Sequence, residues 1–110
     1  MDQKLDQKQV YEILKAANEA PVSPPARISG CGRAYVCVMA GGDKELLRYV
    51  AAACKKLGLL FERTGHYGTG SNSIYMGYDN ADGIPIAKGK VFAAVLNARG
   101  IRAYEDAVGD

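Results

Sequence analysis

The chain has one histidine, His66, and three cysteines, Cys31, Cys37 and Cys54, with no C-x-x-C pair among them. That set is too sparse and wrongly spaced for an ordinary structural zinc site. Free, buried thiols fit a reducing compartment instead, so a cytoplasmic location is expected. No apolar run approaches the roughly 20 residues of a membrane-spanning helix, so no membrane partner is expected. The opening MDQKLDQKQ is too polar for a signal peptide. One-signed charge is also lacking. Fourteen Lys and Arg residues are interleaved with twelve Asp and Glu, and the net charge is +2, a weak footprint for a polyanionic partner. No phosphate-loop run, paired acid or catalytic-serine motif occurs, so the sequence implies no cofactor, no metal and no catalysis.

What is present is enough apolar material for one core. The chain has 110 residues, of which 48% are hydrophobic and 24% charged, the profile of a single folded domain. Residues 4–19 have the spacing of an amphipathic helix, with Val10, Ile13, Leu14 and Ala17 on one side and Lys8, Glu12, Lys15 and Glu19 on the other. Asp6 and Gln9 form a capping pair at its start. Pro21, Pro24 and Pro25 then enforce an extended connector. Three segments follow from this: an N-terminal helix over 1–20, a Pro/Gly-rich connector over 21–33 that leaves the helix an appendage, and a folded unit over 34–110.

Within that unit, residues 34–40 (AYVCVMA) are apolar throughout and short, as in a central strand covered on both faces. Asp43 caps a helix ending at Leu57, with Gly58 as its left-handed stop. Residues 59–63 read as a short strand and Thr64 to Asn72 as a flexible glycine-rich connector. Residues 73–78 read as a third strand, with Ile74, Met76 and Tyr78 on one face and Tyr75 on the other. Asp82 and Pro85 start a helix over 84–98 whose stripe is Ile84, Ala87, Val91, Val95 and Ala98, widened by Phe92 and Leu96. Gly89 weakens its middle by about 1 kcal/mol. Gly100 stops it, and residues 101–108 form the last strand. The order β-α-β-β-α-β is that of a ferredoxin-like α+β sandwich: a four-stranded antiparallel sheet with two helices on one face, reached by right-handed crossovers, plus the extra N-terminal helix.

If Val36 and Val38 face the helices, Tyr35, Cys37 and Met39 face away. Tyr75 joins them from the third strand, and Tyr104 and Arg102 from the last. Ala34-Tyr35-Val36 and Tyr75-Met76-Gly77-Tyr78 resemble parts of the first- and third-strand motifs of the RNA recognition motif family, whose aromatics stack on unpaired bases. The resemblance covers two short segments. It departs from the family at Ser71, Asn72 and Ser73, where a basic residue, a glycine and an aromatic are usual. It implies single-stranded nucleic acid as an alternative partner. The plainer expectation is that the N-terminal helix, whose stripe needs a home, or a second subunit covers these tyrosines.

Arg63, His66, Tyr67 and Asn72 are the polar candidates of the connector. His66 can act as a base in principle, but a lone histidine on a glycine-rich loop reads as a solvated residue. Residues 78–89 match a calcium loop only at Asn80, Asp82 and Gly83, and read better as a turn and helix cap. Cys31, between Gly30 and Gly32, is expected on an exposed loop. The function expected is a small non-enzymatic protein-binding domain, an inhibitor or adaptor. Small phage- or plasmid-encoded inhibitors of nucleic-acid machinery share that general character. Self-association is a further expectation, because a half-covered sheet and an amphipathic helix both present apolar area.

Overall fold

The computed structural model describes residues 4–23, 31–63, 72–80 and 83–109, the side chains at 31, 79, 80 and 107–109 excepted. The elements are α1 (Gln7–Glu19), β1 (Cys31–Val38), α2 (Lys44–Leu57), β2 (Phe61–Glu62), β3 (Ser73–Asn80), α3 (Ile84–Ala98) and β4 (Ala103–Gly109). The class is α+β, with one four-stranded antiparallel sheet and three helices. The strand order is β2-β3-β1-β4. Since β3 is antiparallel to both β1 and β2, those two run parallel with β3 between them. By the same logic β3 and β4 run parallel with β1 between them. Two β-α-β units are therefore interleaved.

Local chemistry sets the helix ends. The Gln9 amide donates to Asp6 at 2.7 Å, and the Asp6 amide donates to the Gln9 side chain at 2.9 Å, which completes the capping box. The Leu46 amide donates to Asp43 at 3.0 Å, and Gly58 takes the left-handed conformation with φ 74°. For α3 the N-cap is Gly83, with no side-chain cap bond, and Pro85 lies in the first turn. The expected cap, Asp82, lies outside the described residues, as does most of the Thr64 to Asn72 connector.

Three expectations change. First, α1 is no appendage. Val10, Ile13, Leu14 and Ala17 are buried in the same core as Val36, Val38 and Ile74 of the sheet and Phe92 and Leu96 of α3. It packs against both α2 and α3, which among the described residues touch each other little. The helix layer thus has three helices, not two, and α1 fills the gap between the other pair. Second, α3 buries Gly89, Phe92, Ala93 and Leu96, while Ile84 and Ala98, both assigned to the stripe, are exposed. This helix is apolar on most sides, so spacing alone does not select its inner face. Gly89 does: a Cβ there would lie 3.0 Å from Glu105 Cγ and 3.6 Å from Met76 Cγ, so the glycine lets α3 approach the sheet. Third, β1 begins at Cys31, three residues before the expected start, which puts Cys31 at the head of a strand rather than on a loop.

Asn97 ties α3 to the sheet. Its Nδ2 donates to the Ala103 carbonyl at 2.8 Å and its Oδ1 accepts from the Ala103 amide at 3.0 Å, fixing where β4 begins. Ile101, fully buried, anchors the turn between them.

Leu14 is completely buried where α1 joins the core. Leu14→Ala is expected to cost about 2–5 kcal/mol, read by chemical denaturation. Glu105 lies under α3, and its carboxyl is raised above the ordinary value, first by burial and further by Asp106, against an opposing pull from Lys90. The folded state therefore holds this proton more tightly than the unfolded chain. The group's contribution is complete below the unfolded carboxyl range, about pH 4.3, and is lost as pH rises through the folded value. Glu105→Gln should match the native chain under acid and exceed its stability at neutral pH, in denaturant titrations at both.

Candidate interaction surface

β1 lies between β3 and β4, and its register decides what meets on the sheet face away from the helices. Tyr35 stands opposite Tyr75 on β3 and Asp106 on β4. Cys37 stands opposite Ser73 and Tyr104. Cross-strand partners share a face, so the three tyrosines lie on one side, as their alternation with Val36 and Val38 predicts. The Tyr35 and Tyr75 rings pack at a centroid distance of 5.4 Å, tilted by 53°, within the favourable range for aromatic pairs. Arg102 precedes β4, where its carbonyl accepts from the Met39 amide at 2.8 Å.

Tyr78 departs from expectation. The β1–β3 register shifts between Ala34, opposite Gly77, and Tyr35, opposite Tyr75, so Met76 is an extra residue in β3. Gly77 has φ 136°, and a Cβ on it would touch Pro85 of α3 at 3.4 Å. Beyond this bulge Tyr78 stands opposite Arg33, which has the facing of Tyr35. Tyr78 therefore leaves the side of Ile74 and Met76 and joins the other tyrosines.

The centre of this face is packed rather than open. Tyr35 is 4% exposed, and Cys37 and Ser73 are buried with Sγ and Oγ 3.4 Å apart. No described helix covers them, because α1 belongs to the layer on the other side. Burial raises the Tyr35 phenol above its ordinary value. The Glu62 carboxylate adds to the rise, while Arg33 opposes it through its charge and a hydrogen bond. Tyr104 is also raised, first by hydrogen bonding to Cys37. The rim is accessible: Met39 is 48% and Tyr104 44% exposed, and Arg102 is exposed beside them. Charge on the face is balanced, with Arg33 and Arg102 against Glu62 and Asp106.

Among the other expected site residues, Arg63 and Asn72 sit where β2 meets β3. The Asn72 amide donates to the Arg63 carbonyl at 3.3 Å, and the Asn72 carbonyl accepts from the Val38 amide at 2.9 Å. With φ 60°, Asn72 adopts a left-handed conformation that asparagine tolerates, so its visible role is to turn the chain. His66 and Tyr67 lie outside the described residues. The structure thus brings Tyr35, Tyr75, Tyr104 and Arg102 onto one face and leaves Arg63 and Asn72 at one end. Sequence reasoning missed Arg33, Glu62 and Asp106 as members. Arg33 and Asp106 were legible from their two-residue spacing to Tyr35 and Tyr104, whereas Glu62 arrives through strand pairing.

Among the described residues no cluster of three or more metal-ligating side chains occurs, and no helix is long and apolar enough to cross a membrane. Cys37 and Cys54 are free and buried, and burial pushes the Cys54 thiol up to about 12, away from nucleophilic chemistry. No protein-family model, curated protein or solved structure matches the chain.

Gly77 holds the bulge that turns Tyr78. Gly77→Ala forces a side chain into a positive-φ conformation and should lower stability by about 1–3 kcal/mol in chemical denaturation.

Proposed function

We propose that the chain is a small non-enzymatic binding protein that engages a protein partner through the rim of its tyrosine-bearing sheet face. The supporting observation is the exposed group Met39, Arg102 and Tyr104 at the shared end of β1 and β4. Tyrosine, methionine and arginine are the residue types enriched at protein interfaces and their energetic centres. Tyr104 stands on β4, and the Met39 amide and Arg102 carbonyl are paired just beyond the strand ends, so little backbone ordering entropy is lost on binding. The balanced charge of the face suits a protein partner better than a polyanion. An inhibitor or adaptor of nucleic-acid machinery is the role we favour, acting in a reducing compartment such as the cytoplasm, where Cys37 and Cys54 stay as thiols. We also read the core as ferredoxin-like. The β-α-β-β-α-β order after α1 and the interleaved strands support that reading, with α1 as an addition to the helix layer.

Base stacking on the tyrosines, the alternative, receives less support. Tyr35 packs against Tyr75 with only 4% of its surface exposed, so its ring offers no free platform. Affinity capture from cell lysate with the native chain and with Tyr104→Ala, read by mass spectrometry, tests the protein reading. A stoichiometric partner retained by the native chain and weakened at least about tenfold by Tyr104→Ala is expected of a hot-spot residue. Equal recovery by both chains, or no stoichiometric partner, counts against it.

A further inference from the structure

Folding sorts the charge that the sequence mixes. In α2 four cations, Lys44, Arg48, Lys55 and Lys56, face one acid, Glu45. α3 adds Lys88 and Lys90 and no acid, and α1 is balanced, with two lysines against two glutamates. The helix layer therefore carries five net positive charges, and since the whole chain is +2 the remainder is net negative by three. A modest net charge conceals a concentration of cations on α2.

The cations of α2 are also aligned. Lys44, Arg48 and Lys55 are spaced by four and seven residues, which puts them on one stripe. That stripe lies opposite the buried Val50, Ala53 and Cys54, and all three side chains are exposed. It spans about 16 Å along the helix. Between the cations the same face carries Ala51 and Ala52, and beside it the centre of the half-buried Tyr49 ring lies 5.7 Å from the Arg48 guanidinium carbon. Lys56 turns aside, with its ammonium 5.3 Å from the centre of the Tyr11 ring on α1.

We propose that this outer face of α2 docks on the phosphate backbone of double-stranded DNA, an interaction separate from the protein-binding rim across the sheet. Charge complementarity carries the assignment, and what the stripe lacks narrows it. A protein interface needs buried apolar or aromatic anchors, and a lipid surface needs an apolar wedge; alanine supplies neither. Stacking on single strands needs displayed rings, and the ring beside this stripe, Tyr49, is half-buried against Arg48. A duplex backbone needs only aligned cations and a helix slim enough to approach two phosphate rows. The major groove of DNA admits a helix, and that of A-form RNA does not. No base-specific side chain lies on the stripe, so binding is indifferent to sequence.

Fluorescence anisotropy of a short, labelled, mixed-sequence DNA duplex titrated with the full chain tests this. The expected result is binding at about 50 mM salt that weakens toward 200 mM with a log–log slope of about −3, one counterion released for each of three phosphate contacts. The exposed-residue double variant Arg48→Ala/Lys55→Ala should shrink that slope by about 2 and weaken binding roughly tenfold at the lower salt. Lys8→Ala/Lys15→Ala removes the same charge from α1 and should leave both nearly unchanged. Absence of binding at low salt, equal losses in the two variants, equal affinity for duplex RNA, or tighter binding to phosphatidylserine vesicles would each overturn the proposal. Tyr104→Ala should bind the duplex like the native chain, so failure of the protein-binding reading and failure of this one are distinguishable.

Discussion

Residues 34–38 of β1 must be buried on both faces, and the remaining elements are arranged to do this. Ala34, Val36 and Val38 go beneath the helices, and Tyr35 and Cys37 go to the other side, all nearly inaccessible. A strand with no solvent face has to occupy the middle of its sheet, and β1 does, between β3 and β4. Its neighbours answer it residue by residue. Gly77, Ile74 and Ala103 meet the helix-side residues, with Glu105 opposite Val36 beneath Gly89, while Tyr75, Ser73, Tyr104 and Asp106 meet the others. A one-residue slip would exchange the two sets and bury the wrong groups, so the double burial also fixes the register.

The helix layer follows from the same demand. α3 crosses β1, β3 and β4, whereas α2 meets the sheet chiefly at the short β2. That leaves apolar surface between two helices that scarcely touch. α1 closes the gap with Val10, Ile13, Leu14 and Ala17. The amphipathic stripe that needed a home therefore found it beside the other helices and not over the tyrosines. An interior position gains more from α1 than a loose flap would, because buried apolar area and close packing scale together.

Much of this was legible in the chain. Asp6 with Gln9, Asp43 and Gly58 marked helix ends through hydrogen-bonding groups and a left-handed turn, which are local and so readable. The alternation of Tyr35 and Cys37 with Val36 and Val38 separated the two sheet faces. What escaped was non-local. Where α1 docks depends on a gap left by elements far along the chain. The facing of Tyr78 depends on one extra residue, Met76, and a bulge reverses all facings beyond it. The inner side of α3 depends on Gly89 meeting Glu105 and Met76, a contact between segments that no helical period encodes. The candidate surface divides in the same way: Tyr35, Tyr75, Tyr104, Arg102, Arg33 and Asp106 follow from strand period, Glu62 only from pairing.

Charge separation is the functional counterpart of that non-locality. Counted along the chain, cations and acids alternate and nearly cancel. Folding turns the α2 cations Lys44, Arg48 and Lys55 outward on one side, while on the tyrosine face of the sheet Arg33 and Arg102 are balanced by Glu62 and Asp106. The two sides then differ in the physics of recognition. The sheet rim offers rings, a thioether and a guanidinium with local charge cancelled, which favours contacts of short range and high shape specificity. The α2 stripe offers exposed charge with no shape to read, which favours long-range attraction that salt weakens. A molecule that grips a protein on one side and is drawn to a duplex on the other would be concentrated where proteins already work on DNA.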